Sequence, residues 1–206
     1  IRPATVTTTS GDLDVDSKVY STSTSLAQAA GTTTAIESSR SNAAAYIGWS
    51  NDRQASRVSI EGASVIVAAG NVDLYAYNNG FAESIINKGG SFSIGSVSSS
   101  TLPTESYYDT YAGITGGSDV SAANIYVLAE DYTRANSDAY DRNIAVTVSV
   151  RTTVGRNTIN ANTNTTIDAK IFAVDDVSIL ADSNAWMYAR TYSSQRGGFT
   201  ADGDMH

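Results

Sequence analysis

The sequence predicts an almost wholly β protein made of stacked repeats, that is, a β-solenoid. Polar and apolar residues alternate along several segments, which is the period of a strand and not that of a helix. A short motif also recurs four times at near-constant spacing, as it does in repeat architectures. Asp outnumbers Glu by about three to one among the 21 acidic residues, and Asp favours turns whereas Glu favours helices.

The recurring motif, which we call the anchor, reads small or Asp, then Asn or Asp, then apolar residues at alternate positions. Its copies begin near residues 11, 70, 123 and 175, and their first apolar residues lie 59, 53 and 52 positions apart. We expect the anchors to point inward and to stack within a single repetitive β domain spanning residues 1–206. The residues expected to carry this stack are Leu13, Val15, Val72, Leu74, Ile125, Val127, Val177 and Ile179.

Two further segments have the alternation of strands. Asn143–Val154 predicts a strand with one apolar and one polar face. Thr163–Phe172 is rich in Thr and Ile, which favour strands. The expected core face of this second strand consists of Thr165, Ile167, Ala169 and Ile171.

Two weaker similarities link the repeats between the anchors. The runs that follow Ile60 and Ile114 are related, since each continues with Gly and small residues towards a Val. Three Ala-x-Ile triplets, which begin at residues 45, 112 and 169, suggest a second repeated element. Small residues also recur after the third and fourth anchors, at Ala135, Ala139, Ala185 and Ala189, and would let stacked strands and layers approach closely.

Composition and charge exclude several classes of protein. The formal net charge of −8 is the wrong sign for a phosphate-binding surface, so we expect no nucleic-acid partner. The sequence has no Cys, which excludes disulfides and Cys-ligated zinc. The only His is His206, the last residue of the sequence, so a Ser-His-Asp triad is not expected. No apolar stretch approaches the ~18 residues of a spanning helix, and we expect no membrane insertion.

The residues from Ile60 to Ala76 resemble the repeats of large bacterial exoproteins. They read Ile-x-Gly-Ala-x-Val and then Gly-Asn-Val-x-Leu-x-Ala, and related runs occupy residues 114–129 and 171–181. The pattern is similar to that of filamentous-haemagglutinin-like and leukotoxin-like adhesins. This resemblance implies a right-handed parallel β-helix, secretion and display at the cell surface. Because coils in those proteins are shorter than the spacing seen here, each repeat would need two or three coils.

Four acidic residues form a candidate calcium site. Asp12, Asp14 and Asp16 alternate along one predicted strand face at ~6.8 Å spacing, and Asp73 matches Asp14 in the next repeat. Stacking would bring carboxylates from two repeats within ~5 Å of each other, and Ca²⁺ prefers such oxygen ligands. The alternative is that these residues form turns and a solvated face. We expect no other cofactor.

The predicted function is that of a non-enzymatic structural and adhesive segment of a secreted or cell-surface exoprotein. Its expected partners are neighbouring repeats or other copies of itself, together with a surface glycan or a host receptor. Trp49, Trp186 and the tyrosines could form a sugar-stacking platform, although such residues more often pack in a core.

Two alternatives stay open. The chain could be a β-sandwich subunit of an extracellular filament, sheath or surface layer, with Ile1–Ser10 as a donor strand for a neighbour. It could also be a polysaccharide-active β-helix enzyme that uses a carboxylate pair. The sequence singles out no catalytic residue, since the Glu residues are scattered; they are Glu37, Glu61, Glu83, Glu105 and Glu130.

Overall fold

The protein is all-β in the part of the chain that the structure describes. The computed structural model describes residues 1, 3–29, 33–196 and 199–202, and every regular element in these ranges is a strand. All pairings between the named strands are parallel. The strands are β1 (Thr5–Thr8), β2 (Leu13–Ala29), β3 (Thr33–Asn42), β4 (Ala45–Ile47), β5 (Gln54–Ile60), β6 (Val65–Ala68), β7 (Val72–Ala122), β8 (Ile125–Ala173), β9 (Val177–Arg196) and β10 (Phe199–Asp202). The expectation of an all-β protein with parallel strands is confirmed.

The strands pair in the register that the anchors share. Leu13 lies opposite Val72, Val72 opposite Ile125, and Ile125 opposite Val177. The anchors of consecutive repeats are therefore direct neighbours in the sheet, and one repeat advances the stack by one strand. The expectation of two or three coils per repeat is wrong.

The two longest strands, β7 and β8, each bend so that their two halves face each other across the interior. In β7, the Asn78 side-chain amide donates to Thr110 Oγ1 at 2.5 Å, and Thr104 Oγ1 donates to Ser84 Oγ at 2.8 Å. We call β2, residues 72–88, residues 125–141 and β9 the first layer. The second layer contains β3, β4, β5 and the later parts of β7 and β8, and β1 pairs with β6 at the corner between the layers.

The interior changes character along the strands. Near the corner the inward residues are large and apolar, and they form the main core of Val58, Ile60, Ile66, Val72, Leu74, Ile114, Val120, Ile125 and Val127. Farther along, most buried residues of β7 are small or polar, among them Ala76, Asn78, Ala82, Ser84, Thr104, Ser106 and Thr110. Ile86, Leu102 and Tyr108 are the large residues buried there, and they form two smaller clusters. Small inward side chains let the two layers approach closely, and their hydroxyl and amide groups bond across the gap.

Burial of the expected stack depends on the position of each repeat. Val72 and Ile125, from the two inner repeats, are fully buried, and Leu13 of the first repeat packs partly against the same core. Val177 is 45% exposed and Ile179 is 47% exposed. These two residues belong to β9, which among the described strands pairs only with β8, so nothing described covers their other side.

The strand predicted at Thr163–Phe172 lies within β8. Its expected core-face residues are half-buried and their neighbours are exposed. Ile167, Ala169 and Ile171 pack against the main core. This prediction is confirmed.

The segment Asn143–Val154 is a strand within β8, but its apolar residues point outward where side chains are described. Val148 and Val150 are 50% and 40% exposed, whereas Ser149 and Arg151 are almost fully buried. A register shift precedes them, because Ser93 pairs with Ala145 but Gly95 pairs with Val148. One extra residue in a strand moves every following side chain to the other face.

Of the two weaker similarities between the repeats, one agrees with the strand register and the other does not. Ile60 pairs with Ile114, and Ile114 pairs with Ile167, so the relation between the Ile60 and Ile114 runs is correct. The Ala-x-Ile triplets are not equivalent, because Ala45 pairs with Thr104 and Ala112 pairs with Thr165. Three residues are too short a pattern to fix a register in a chain rich in Ala and Ile.

Candidate functional site

The outward side of the first layer carries the largest group of aromatic residues. Because the strands are parallel and in register, equivalent outward residues form rows across β2, β7, β8 and β9. We call this surface the aromatic face. Its central members are Tyr20, Tyr75, Tyr77, Phe81, Tyr132 and Trp186.

Tyr77 is the centre of a cluster on this face. Its ring centroid lies 5.6 Å from that of Tyr20, 5.9 Å from that of Tyr75 and 6.1 Å from that of Tyr132. The Tyr75 hydroxyl donates to Glu130 Oε2 at 2.6 Å. Burial and the Glu130 carboxylate raise the pKa of Tyr75 above its usual range. The cluster is thus fixed by ring contacts and by one hydrogen bond to a carboxylate.

A cleft of about 420 Å³ opens beside this cluster. Tyr132 and Trp186 lie at it with 44% and 63% of their surfaces exposed. Phe81, Arg134 and Trp186 occupy one row on three successive strands. The residues that line the cleft are Asn79, Gly80, Phe81, Tyr132, Thr133, Arg134 and Trp186.

The predicted acidic site lies at the start of the same face. Asp14 is the register partner of Asp73, as the repeat predicts. Asp12 Oδ1 accepts from the Asn71 backbone amide at 2.7 Å, and Asp16 forms an ion pair with Lys18 at 2.8 Å. Two of the four carboxylates are therefore already engaged by the chain itself.

The remaining two carboxylates, Asp14 and Asp73, lie side by side in the register. Burial, followed by the hydrogen bond to Asp14 and its charge, raises the pKa of Asp73 to about 6. A proton shared between Asp14 and Asp73 therefore relieves the repulsion below that pH. Among the described residues, no group of three or more His, Cys, Asp and Glu could hold a metal ion. The calcium site stays a prediction.

Asp131 is a buried carboxyl group that sequence reasoning did not single out. It lies on an inward row with Asn78 and Ser183, and it is fully buried. Thr133 Oγ1 lies 3.1 Å from each of its carboxylate oxygens, and Ser183 Oγ lies 3.5 Å from one of them. Burial raises the pKa of Asp131, and these hydroxyl groups only partly oppose that rise.

An insertion in the first repeat accounts for five of the six residues by which the first spacing exceeds the second. Ile47 pairs with Ser106 and Gln54 pairs with Tyr108, so six residues stand where the second repeat has only Tyr107. The Trp49 ring stacks on Tyr46 at 4.6 Å, and its residue is 56% exposed. The spacing of 59 against 53 was the signal that could have located this loop.

Arg53, at the end of the insertion, joins three repeats. Its Nε forms an ion pair with Asp109 at 2.6 Å, and its Nη2 donates to the backbone oxygens of Tyr108 at 2.6 Å and Asn160 at 2.7 Å. Asn162 Nδ2 also donates to Asp109 Oδ1 at 3.0 Å. Arg53 therefore fastens the first repeat to the second and third, and no local pattern around Arg53 predicts this role.

The Glu residues with described contacts are held by the chain and not paired with one another. Glu61 Oε1 accepts from Arg57 at 3.1 Å and from Ser59 at 2.8 Å. Glu105 accepts from the Tyr107 hydroxyl at 3.2 Å. Glu130 is the register partner of Asp182 and bonds Tyr75. Glu83 lies opposite Thr24 and Asn136 on the aromatic face. The Glu37 side chain and His206 lie outside the described part of the structure.

Within the described residues, no helix is long and apolar enough to cross a membrane. No protein-family model matches the chain, and comparison with curated proteins and with solved structures gives no match. The resemblance to bacterial exoproteins therefore rests on the residues quoted for it.

Proposed function

We propose that this chain is a non-enzymatic structural and adhesive segment of a secreted or cell-surface exoprotein, built as a right-handed parallel β-helix. The observation that carries the proposal is the column Leu13–Val72–Ile125–Val177, in which four repeats pair directly. A continuous parallel ladder whose inner members, Val72 and Ile125, are fully buried resists bending and local opening, because each inner strand is held by neighbours on both sides.

The outer surface supports the adhesive part of the proposal. Monomeric proteins rarely expose large contiguous apolar patches unless they mark interaction sites. Here Tyr132, Trp186 and Tyr188 are all at least 44% exposed and lie on neighbouring strands of one face. The display of ring surface on a rigid layer suits contact with another molecule.

The proposal is tested with the whole chain coupled to beads. We expect native beads to be retained under flow on cell surfaces and heat-denatured beads to be washed away. Incubation with polysaccharides should release no new reducing ends. Turnover of a polysaccharide, or retention equal to that of the denatured control, would contradict the proposal.

Open strand edges favour a filament subunit as a second candidate function. Among the described strands, β2 pairs only with β7 and β9 only with β8. If a second copy continued the register, Val177 would face its Leu13 and Asp182 would face its Lys18, which matches apolar with apolar and opposite charges. The donor-strand variant is less favoured, because β1 already pairs with β6 of its own chain.

An end-to-end joint between two copies would leave one strand position unfilled in the second layer, where the described strands stop at β8 and β10.

Light scattering on charge variants tests whether copies assemble end to end. We expect Lys18→Glu to lower the average mass of any assemblies and Lys18→Glu with Asp182→Lys to restore it. A wild-type chain that stays monomeric at all concentrations would exclude this candidate.

A further inference from the structure

We propose that the cleft on the aromatic face binds a neutral glycan chain, with Tyr132 and Trp186 as the stacking residues and Arg134 as the hydrogen-bond donor. The proposal rests on the adhesive function proposed above and names its partner. Tyr132 and Trp186 lie on adjacent strands and one row apart, because Tyr132 pairs with Asn184 and Arg134 pairs with Trp186. Among the described residues no ring contact joins them, and the cleft lies between them.

Three aromatic residues form an oblique line across the aromatic face, which we call the aromatic diagonal, and an extended ligand could follow this line. Tyr77, Tyr132 and Trp186 lie on three successive strands, each shifted by one row. Adjacent strands are ~4.8 Å apart and rows on one face are ~6.8 Å apart, so the diagonal crosses the face obliquely. Tyr77 touches Tyr132 at 6.1 Å between ring centroids, whereas the step from Tyr132 to Trp186 is open. An extended ligand could lie over the contacting rings of Tyr77 and Tyr132 and insert one sugar ring into the cleft between Tyr132 and Trp186.

The polar groups of the cleft suit hydroxyl groups. Arg134 stands between Phe81 and Trp186 in its row. Within the described residues its guanidinium makes no ion pair, hydrogen bond or cation–π contact. Its donors are therefore free for a ligand. The Asn79 amide donates to the Tyr77 hydroxyl at 3.1 Å, and its carbonyl oxygen can still accept. Pyranose rings offer the matching chemistry, an apolar face of C–H groups and a rim of hydroxyls.

Charge favours a neutral glycan over an acidic one. Glu130 and Asp182 form the row next to the Tyr132 row, and the whole chain carries a formal net charge of −8. One guanidinium beside two carboxylates gives a polyanion little gain and considerable repulsion. The cleft volume of about 420 Å³ lies within the ~300–1,000 Å³ of typical small-ligand sites, which is enough for a short stretch of sugar units.

The binding test uses the whole chain and defined probes. Soluble hexamers of β-glucose and of N-acetylglucosamine serve as neutral glycans, and a galacturonic acid hexamer serves as the acidic one. Titration calorimetry should detect at least one neutral hexamer. We expect Trp186→Ala and Tyr132→Ala each to weaken its binding at least tenfold, and Arg134→Met to weaken it several-fold.

Two matched variants serve as controls, because they remove equally exposed aromatic rings elsewhere. Phe172→Ala lies in the second layer, where the residue is 66% exposed, and Trp49→Ala removes the ring of the insertion. Both variants should bind as the wild type does. Tryptophan fluorescence gives an independent readout, since only Trp49 and Trp186 contribute. The ligand-induced change should persist in Trp49→Phe and disappear in Trp186→Phe.

Several outcomes would overturn the site. Loss of binding in Trp49→Ala with wild-type binding in Trp186→Ala would move the site to the insertion. Binding of the galacturonic acid hexamer alone would overturn the neutral ligand. Retention of beads on protein-coated surfaces without affinity for any hexamer would leave the adhesive function standing and the glycan site refuted. Absence of retention on every surface would contradict the adhesive function itself.

Discussion

At the scale of single residues, the interior is set by which side chains can share a narrow gap between two layers. Tyr108 is fully buried, and its ring reaches across to Gly80. A Cβ added at Gly80 would overlap the Tyr108 hydroxyl. Gly80 is therefore required by close approach across the interior, and the sequence alone could not show which residue lies opposite it.

Gly80→Ala is expected to destabilise the protein. Overpacking a well-filled interior typically costs ~1–3 kcal/mol, because neighbouring side chains must leave their preferred rotamers. Urea unfolding followed by circular dichroism measures the change. Gly90→Ala is the control, since nothing lies within 4 Å of a Cβ at that position. Equal stability of Gly80→Ala and the wild type would show that Tyr108 can move aside freely.

Asp131→Asn is expected to raise the thermal midpoint at neutral pH. The folded pKa of Asp131 is raised by burial, so stability from this group is present below its ordinary pKa of ~3.9 and is lost as pH rises through the folded value. Asn is isosteric and carries no charge to bury. The difference between the variant and the wild type should therefore shrink as the pH falls towards that ordinary value.

The opposite substitution can be made at the equivalent position of the neighbouring repeat. Asn78 is the register partner of Asp131 and is fully buried. Asn78→Asp should lower the midpoint at neutral pH, since it places a second carboxyl group in the same row. If Asn78→Asp and Asp131→Asn changed stability in the same direction, burial of charge would not be the dominant effect.

At the scale of strands, equivalent anchor residues contribute differently to stability in each repeat. Ile125 lies between Val72 and Val177 and is fully buried, whereas Val177 is 45% exposed. The hydrophobic contribution of a residue follows the area that it removes from water. Position in the stack, and not the motif, therefore sets the energetic role of an anchor.

Ile125→Ala is expected to cost about 2–5 kcal/mol, as truncation of a fully buried Ile does. Val177→Ala should cost under about 1 kcal/mol, as is usual for exposed positions. Chemical denaturation of both variants gives the comparison. Similar losses in the two variants would mean that β9 is covered on its open side in solution.

The sequence predicted the elements that depend on local pattern and missed those that depend on contacts between repeats. The column through Leu13, Val72 and Ile125 and the inward face at Ile167 followed from spacing and alternation. The outward Val148 did not, because a single-residue register shift decides which face is buried. Arg53 and the cleft between Tyr132 and Trp186 were also missed, since their partners come from other repeats.

At the scale of the whole molecule, acidic groups make stability depend on pH. The pKa of Asp73 is about 6 in the folded chain, above the ~3.9 of an ordinary Asp, and the pKa of Asp131 is raised as well. The folded chain therefore binds more protons than the unfolded chain in mildly acidic solution. The free energy of unfolding that Asp73 contributes is therefore lost as the pH rises through about 6.

We expect calcium to replace the proton between Asp14 and Asp73. We expect the thermal midpoint to be higher at pH 5 than at pH 7 without calcium, because above its pKa of about 6 Asp73 becomes a partly buried negative charge beside other carboxylates. Millimolar Ca²⁺ should raise the midpoint at pH 7 by taking oxygen ligands from both residues, and it should have little effect at pH 5, where the proton already bridges them. Asp73→Asn should remove both the calcium effect and part of the pH dependence. If the wild type keeps its pH dependence but calcium and a chelator give the same midpoint at pH 7, the pair shares a proton and the acidic row is otherwise a solvated face.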